Sequence, residues 1–242
     1  MPKTQLSDED VEKIIKKCQK RVQNTFEGKF HYRSLPVPRS NQFLRKHISE
    51  KHEMCVLFVD MVGSTKMSSN LNPDKLSLII RAFCQEISLI IEMYGGRVLK
   101  FVGDAVIGYF MTNKRGYDDT DRIIDCIKLL LLVISRGINP ILKGQGYPEI
   151  KVKVGLDCGI GSIILYSYDR KKAHIDIIGL CLNLAAKMQN FANPNQLVIG
   201  NNVYTKLSSQ EKKNFKKLKF DTRKWNYEFD GKIYSIYSNK QS

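Results

Sequence analysis

Apolar residues recur along this chain in two alternating rhythms, helical stripes and short continuous runs. The first stripe is Val11, Ile14, Ile15, Cys18 and Val22, spaced for one helix face. Ser7, followed by Asp8, Glu9 and Asp10, suits its start, because the hydroxyl can cap and the acids favour the positive helix end. Residues 1–26 are therefore expected to form an N-terminal amphipathic helix, whose stripe needs a partner: the main domain or a second copy. Residues 27–52 carry Gly28, Pro36, Pro38 and many charges without clear periodicity, and read as a linker. A compact domain is expected over residues 53–242.

Within that domain the rhythm changes repeatedly. Met54–Asp60 is continuously apolar up to its aspartate and predicts a buried strand. Pro73 and Asp74 open a helix with the stripe Leu76, Ile79, Ile80, Phe83, Ile87 and Ile91, stopped by Gly95 and Gly96. Arg97–Phe101 and Ala105–Phe110 predict a hairpin with Asp104 at its tip. A helix is expected over about Asp118–Ile138, ending at Gly137 with Pro140 beyond. A second hairpin is expected from Ile150–Gly159 and Ser162–Tyr166, then a strand at Ile175–Ile178 and a helix at about Leu180–Phe191. Leu197–Ile199 and Tyr227–Tyr237 supply further strands. The order β-α-β-β-α-β predicts an α+β fold: a ferredoxin-like core sheet with helices on one face, plus the N-terminal helix and C-terminal strands.

Composition narrows the class. The chain has 242 residues, 43% hydrophobic and 26% charged, as expected of a globular protein with an ample core. Its longest strongly apolar stretch, Leu129–Ile134, falls far short of the ~20 residues that span a bilayer. The opening Met1-Pro2-Lys3-Thr4-Gln5 lacks the apolar core of a signal peptide, so a cytoplasmic location is expected. The six cysteines stand singly, with no C-x-x-C, and read as reduced buried residues. The net charge of +15 gathers in lysines at 13–20 and 212–219. No aromatic platform or recognition-helix pattern accompanies it, so nucleic acid is not an expected partner. Solvated helix faces account for the charge, and a positive field also speeds encounter with a polyanion such as a nucleoside triphosphate.

The chemistry centres on Asp60 and Asp104. A carboxylate at the mouth of a buried strand is costly unless a cation or hydrogen bonds compensate it. Two such groups on neighbouring strands repel, unless a divalent cation lies between them. Oxygen-only ligands favour Mg²⁺ or Mn²⁺ over zinc. Gly63, Ser64 and Thr65 follow the first aspartate in a turn whose backbone N–H groups suit phosphate. On the helix near Leu180, Asn183 and Lys187 are four apart and share a face. There they could orient a sugar oxygen and meet developing phosphate charge, respectively.

Three blocks carry a resemblance: Phe58-x-Asp60-x-x-Gly63-Ser64-Thr65, Lys100-Phe101-x-Gly103-Asp104, and Asp176-Ile177-x-Gly179-x-x-x-Asn183-x-Ala185-Ala186-Lys187. Together they resemble the class III nucleotide cyclases, the adenylyl/guanylyl cyclase catalytic domains, over roughly Glu53 to Tyr237. The resemblance implies that Asp60 and Asp104 bind two Mg²⁺ or Mn²⁺ ions, with Met61 through Thr65 lining the metal and phosphate pocket. It implies that Lys100 and Asp176 select adenine, that Asn183 orients the ribose, and that Lys187 stands where the family usually has a transition-state arginine. Lysine keeps the charge but loses the bidentate fork. The resemblance also implies a head-to-tail homodimer in which one subunit supplies the aspartates and the other the base-selecting and transition-state residues.

The expected activity is that of an adenylate cyclase, turning ATP into 3′,5′-cyclic AMP and pyrophosphate. A pyrimidine cyclase of the antiphage type, acting on UTP or CTP, is the near alternative, and the intact Lys100 argues against it. Lys187 alone supports a third reading, a nucleotide-binding regulatory homologue without turnover.

Overall fold

In the computed structural model of the chain, residues 6–29, 35–112, 117–221 and 223–240 are described. The opening pentapeptide, and residues 30–34 of the stretch read as a linker, lie outside them. The elements follow in the order α1 (Asp8–Phe26), α2 (Pro36–Leu44), β1 (Lys51–Met61), α3 (Ser64–Asn70), α4 (Pro73–Met93), β2 (Arg97–Val102), β3 (Ala105–Met111) and α5 (Tyr117–Leu132). Then come α6 (Asn139–Gly144), β4 (Val152–Leu165), β5 (Ile175–Ile178), α7 (Leu180–Met188), β6 (Gln196–Gly200), α8 (Asn201–Lys206) and α9 (Ser209–Lys212). The C-terminal strands are β7 (Phe215–Lys217), β8 (Glu228–Phe229), β9 (Lys232–Ile233) and β10 (Ile236–Asn239).

The main sheet runs β2-β3-β1-β4-β6-β10-β7, with β5 paired to β4. Its first four strands, joined through α4 and α5, are the expected ferredoxin-like core, antiparallel throughout. β1 is continuously apolar because both its faces are covered. Cys55, Leu57, Val59 and Met61 meet the face carrying α4 and α5, while Met54 and Val56 pack on the other with Leu44, Ile175, Ile177 and Cys181. No described helix is long and apolar enough to cross a membrane.

The N-terminal stripe is covered by the chain itself. α1 is opened by a capping box in which the Asp10 N–H donates to Ser7 Oγ at 3.1 Å. It buries Ile15, Cys18, Val22 and Thr25. Arg21 donates through two nitrogens to the fully buried Glu86 of α4, at 2.7 and 2.6 Å. Within the stretch read as a linker, residues 36–44 are helical, because Pro36 at the first helical position has no N–H to leave unpaired.

Four further expectations are corrected. The helix after Asp118 does not stop at Gly137: it continues through a π-helical turn, Val133–Ile138, into α6. Pro140 cannot donate to the Arg136 carbonyl, and Gln19 of α1 does so instead, at 2.8 Å. Gly137 lies against Cys18, where any side chain would collide with its sulfur. The hairpin expected around Gly159 is instead one long strand, β4, whose Gly155, Gly159 and Gly161 leave room for Ala185, Cys181 and Met54 packed against it. The Gly-Ser-Thr turn opens a short helix, α3. Finally, Cys55 and Cys158 are joined in a disulfide, because the register of β1 and β4 sets them directly opposite one another. Cys18, Cys84, Cys126 and Cys181 are free and buried.

On the opposite face of β4, Asp157 is fully buried. Its Oδ1 accepts from the Tyr234 hydroxyl at 2.8 Å, and Oδ2 has no partner. Burial pushes this carboxyl up to about 7. The native state therefore keeps a proton that the unfolded chain releases near its ordinary value, so stability is fully present below about pH 4 and lost as pH rises through about 7. Urea midpoints are expected to fall over that window in the wild type and to stay flatter in Asp157→Asn. An equal fall in both proteins would remove Asp157 as the cause.

Candidate active site

β1 leaves the sheet at Asp60 and Met61, and Asp60 lies directly across the ladder from Lys153 of β4. The Val62 N–H donates to the Lys151 carbonyl at 2.8 Å, and Gly63, at φ +77°, turns the chain into α3. Nearby, Gly103 at φ +60° closes the β2–β3 tip and carries Asp104. Both glycines occupy backbone conformations that a side chain would strain.

Asp60 is raised above the ordinary carboxylate range, first by burial and then by the Asp104 charge, with Lys153 opposing. Asp104 Oδ2 is buried and accepts no hydrogen bond. Two neighbouring carboxylates, one raised by the other and the second with an orphaned oxygen, form an all-oxygen donor set that fits a hard divalent cation. Met61 buries its side chain in the core, leaving its backbone at the site. Gly63 offers no side chain to cap α3, and Thr65 is exposed with Ser64 half-buried.

A second cluster lies on β2 and β5. Lys100 and the buried Asp176 form an ion pair, and Asp176 Oδ1 accepts from the Ile177 N–H at 2.9 Å. β5 pairs with the end of β4, and its Ile175 and Ile177 pack with Met54, Val56, Ile107 and Tyr109, with Asp176 between them reaching Lys100.

The third cluster is on α7. Asn183 and Lys187 are both exposed, as expected for residues four apart on an amphipathic helix. The Lys187 ammonium meets the Tyr227 hydroxyl and lies 4.7 Å from the ring centre. It lines a cavity of about 560 Å³ with Asn190, Phe191, Lys224, Trp225 and Tyr227.

Asp60 and Asp104 are thus brought together, as are Lys100 and Asp176. Among the described residues, neither Asn183 nor Lys187 bonds to the aspartate pair within one chain. Two residues escaped the reading of the sequence. Lys153 faces Asp60 only through strand register, which leaves no local signal. Tyr227 reaches Lys187 from 40 residues away.

Residues 47–233 match the family of adenylate and guanylate cyclase catalytic domains. The chain is 28% identical over 185 residues to a cytidylate cyclase of Staphylococcus aureus, covering 73% of this chain and 42% of that protein. It is 26% identical over 160 residues to adenylate cyclase type 10 of Homo sapiens, covering 62% of this chain and 9% of that protein. It therefore spans less than half the length of either relative. Its fold matches the crystal structure of the adenylyl cyclase CyaB from P. aeruginosa with a TM-score of 0.66 at 20% identity, over 80% of this chain and 96% of that one. The chain belongs to the adenylate and guanylate cyclase catalytic domain family.

Proposed function

We propose that this chain converts ATP into 3′,5′-cyclic AMP and pyrophosphate, in a site shared between two copies of itself. The observation that carries the reading is the pairing of Asp60 with Asp104 beside Lys153 and the start of α3. Two Mg²⁺ or Mn²⁺ ions held by Asp60, Asp104 and the Met61 backbone would supply charge neutralisation and a more acidic ribose 3′-hydroxyl. Lys153 and the backbone of Gly63, Ser64 and Thr65 bind the phosphates. The hydroxyl gives up its proton to solvent as its oxygen attacks the α-phosphorus in line, the bond from that phosphorus to pyrophosphate breaks, and positioning supplies much of the rate. Asn183 holds the ribose, and Lys187 meets the charge that develops on the leaving phosphates. In this reading both come from the second copy, and within one chain neither is hydrogen-bonded to the aspartates among the described residues.

Base choice rests on the Lys100–Asp176 ion pair. An ammonium donates to a ring nitrogen and a carboxylate accepts from an exocyclic amine. Adenine presents that acceptor–donor pair, and so does cytosine, whereas guanine and uracil present a carbonyl beside a ring N–H. Lys100 therefore argues against UTP but not against CTP, which is the second reading, favoured by the similarity to a cytidylate cyclase. Purified protein incubated with each of the four nucleoside triphosphates and Mg²⁺ or Mn²⁺ is expected to yield cyclic AMP most, then cyclic CMP, by mass spectrometry. Lys100→Ala and Asp176→Ala should lose the preference for ATP before they lose all turnover. A preference for GTP or UTP would overturn the base assignment, and no cyclic product from a folded protein would leave a nucleotide-binding regulatory homologue.

A further inference from the structure

Far from the aspartates, two imidazoles and a carboxylate converge where the chain enters β1. His47 ends the helical turn after α2, Glu50 precedes β1, and His52 is its second residue. His47 Nδ1 lies 2.9 Å and His52 Nε2 lies 2.7 Å from one and the same oxygen, Glu50 Oε2. The rings stand at 87° with centres 5.2 Å apart, so neither shields the other from that point. All three side chains stay open to solvent, at 30%, 49% and 28% exposure in chain order.

The backbone beneath them is pinned. Ser49 turns the chain at φ +66°. Its N–H donates to the Ile163 carbonyl at 2.9 Å, and the Ile163 N–H donates to the Glu50 carbonyl at 3.0 Å. The Glu50 N–H donates to the His47 carbonyl at 3.1 Å. His52 is fixed in the ladder opposite Gly161, and the Phe43 ring lies 4.6 Å from that of His47. Ligand side chains carried on a strand and on a turn tied to its neighbour have the support that a preorganised site needs.

We propose that His47, Glu50 and His52 form a binding site for a transition-metal ion of the zinc class, separate from the carboxylate pair. Two imidazole nitrogens with one carboxylate oxygen suit zinc, cobalt or nickel and ill suit magnesium. A tetrahedral ion ~2.0–2.2 Å from each ligand atom needs those atoms about 3.3 Å apart. The two contacts to Glu50 Oε2 must open by roughly half an ångström, and all three ligand atoms already lie within 4.8 Å of one another. The fourth position faces solvent and suits a water molecule. His52 and Asp60 are eight residues apart on β1, about 27 Å along an extended strand, so the two sites share no ligand. A metal here would tie the end of α2 to β1 and, through Ile163, to the hairpin that carries Asp176.

The test uses the full chain stripped with EDTA and held in excess Mg²⁺ to fill the aspartate site. Titration with Co²⁺ is expected to give a visible absorption band that saturates at one ion per chain. Dialysis against Zn²⁺ should leave one zinc per chain by elemental measurement and raise the melting temperature. His47→Ala and His52→Ala should each lose the band and bind zinc at least about tenfold more weakly. Should either alanine variant lose its native circular dichroism, His52→Gln and Glu50→Gln decide by the same criteria, since they keep the strand and turn. An unchanged band and zinc content in the folded variants, or no band in the wild type, would overturn the site.

Discussion

Asp60→Asn is expected to lower turnover by roughly 10²–10³ while raising the melting temperature of the metal-free protein. The two effects share one cause. Burial and the Asp104 charge both make an ionised Asp60 unfavourable in the fold. Removing its charge relieves both and equally removes what would attract a cation. Because the group is raised, its contribution to stability is present at low pH and lost as pH rises through its native value. In the wild type, protons therefore compete with the cation, and activity should fall on the acid side at a higher pH than an ordinary carboxylate would set. Steady-state rates with Mg²⁺ and melting curves in EDTA read the two halves separately. Turnover within about tenfold of wild type, or a lower melting temperature, would refute the assignment of Asp60 as a metal ligand.

Mixing two inactive variants is expected to restore activity. Asp104→Asn disables the half of the site that binds metal, and Asn183→Ala the half that holds ribose. In a dimer of one of each, both lesions fall in one site and the other site is intact. With random pairing, half the dimers are mixed and each has one working site, giving about a quarter of the wild-type specific activity. Activity of an equimolar mixture, measured after subunit exchange, tests this directly. No recovery, where native mass spectrometry shows mixed dimers, would place both halves within one chain.

The parts of the fold legible in the sequence were those set by local pattern. The stripe from Leu76 to Ile91 buries Ile79, Phe83, Ile87 and Ile91, and the tip at Gly103-Asp104 is where its neighbours require. Asp60 and Asp104 could be read as a pair because strand mouths rarely hold carboxylates without compensation. What stayed hidden depends on register between distant strands. Nothing near Cys55 points to Cys158, 103 residues on, and nothing near Asp60 points to Lys153. Both follow from one alignment of β1 with β4. Glycine misled in two opposite ways. Gly159 reads as the end of a strand that in fact runs on past it beside Cys181, and Gly137 as the end of a helix whose neighbour it admits. In each case tertiary packing uses the missing side chain, where local pattern suggests only a break.

The ion pair between Arg21 and Glu86 has a mechanical consequence. Replacing Arg21 by an uncharged residue, with α1 still in place over the buried Glu86, would cost about 3–5 kcal/mol. The pair fastens α1 to α4, and α4 leads directly into the strand that bears Lys100.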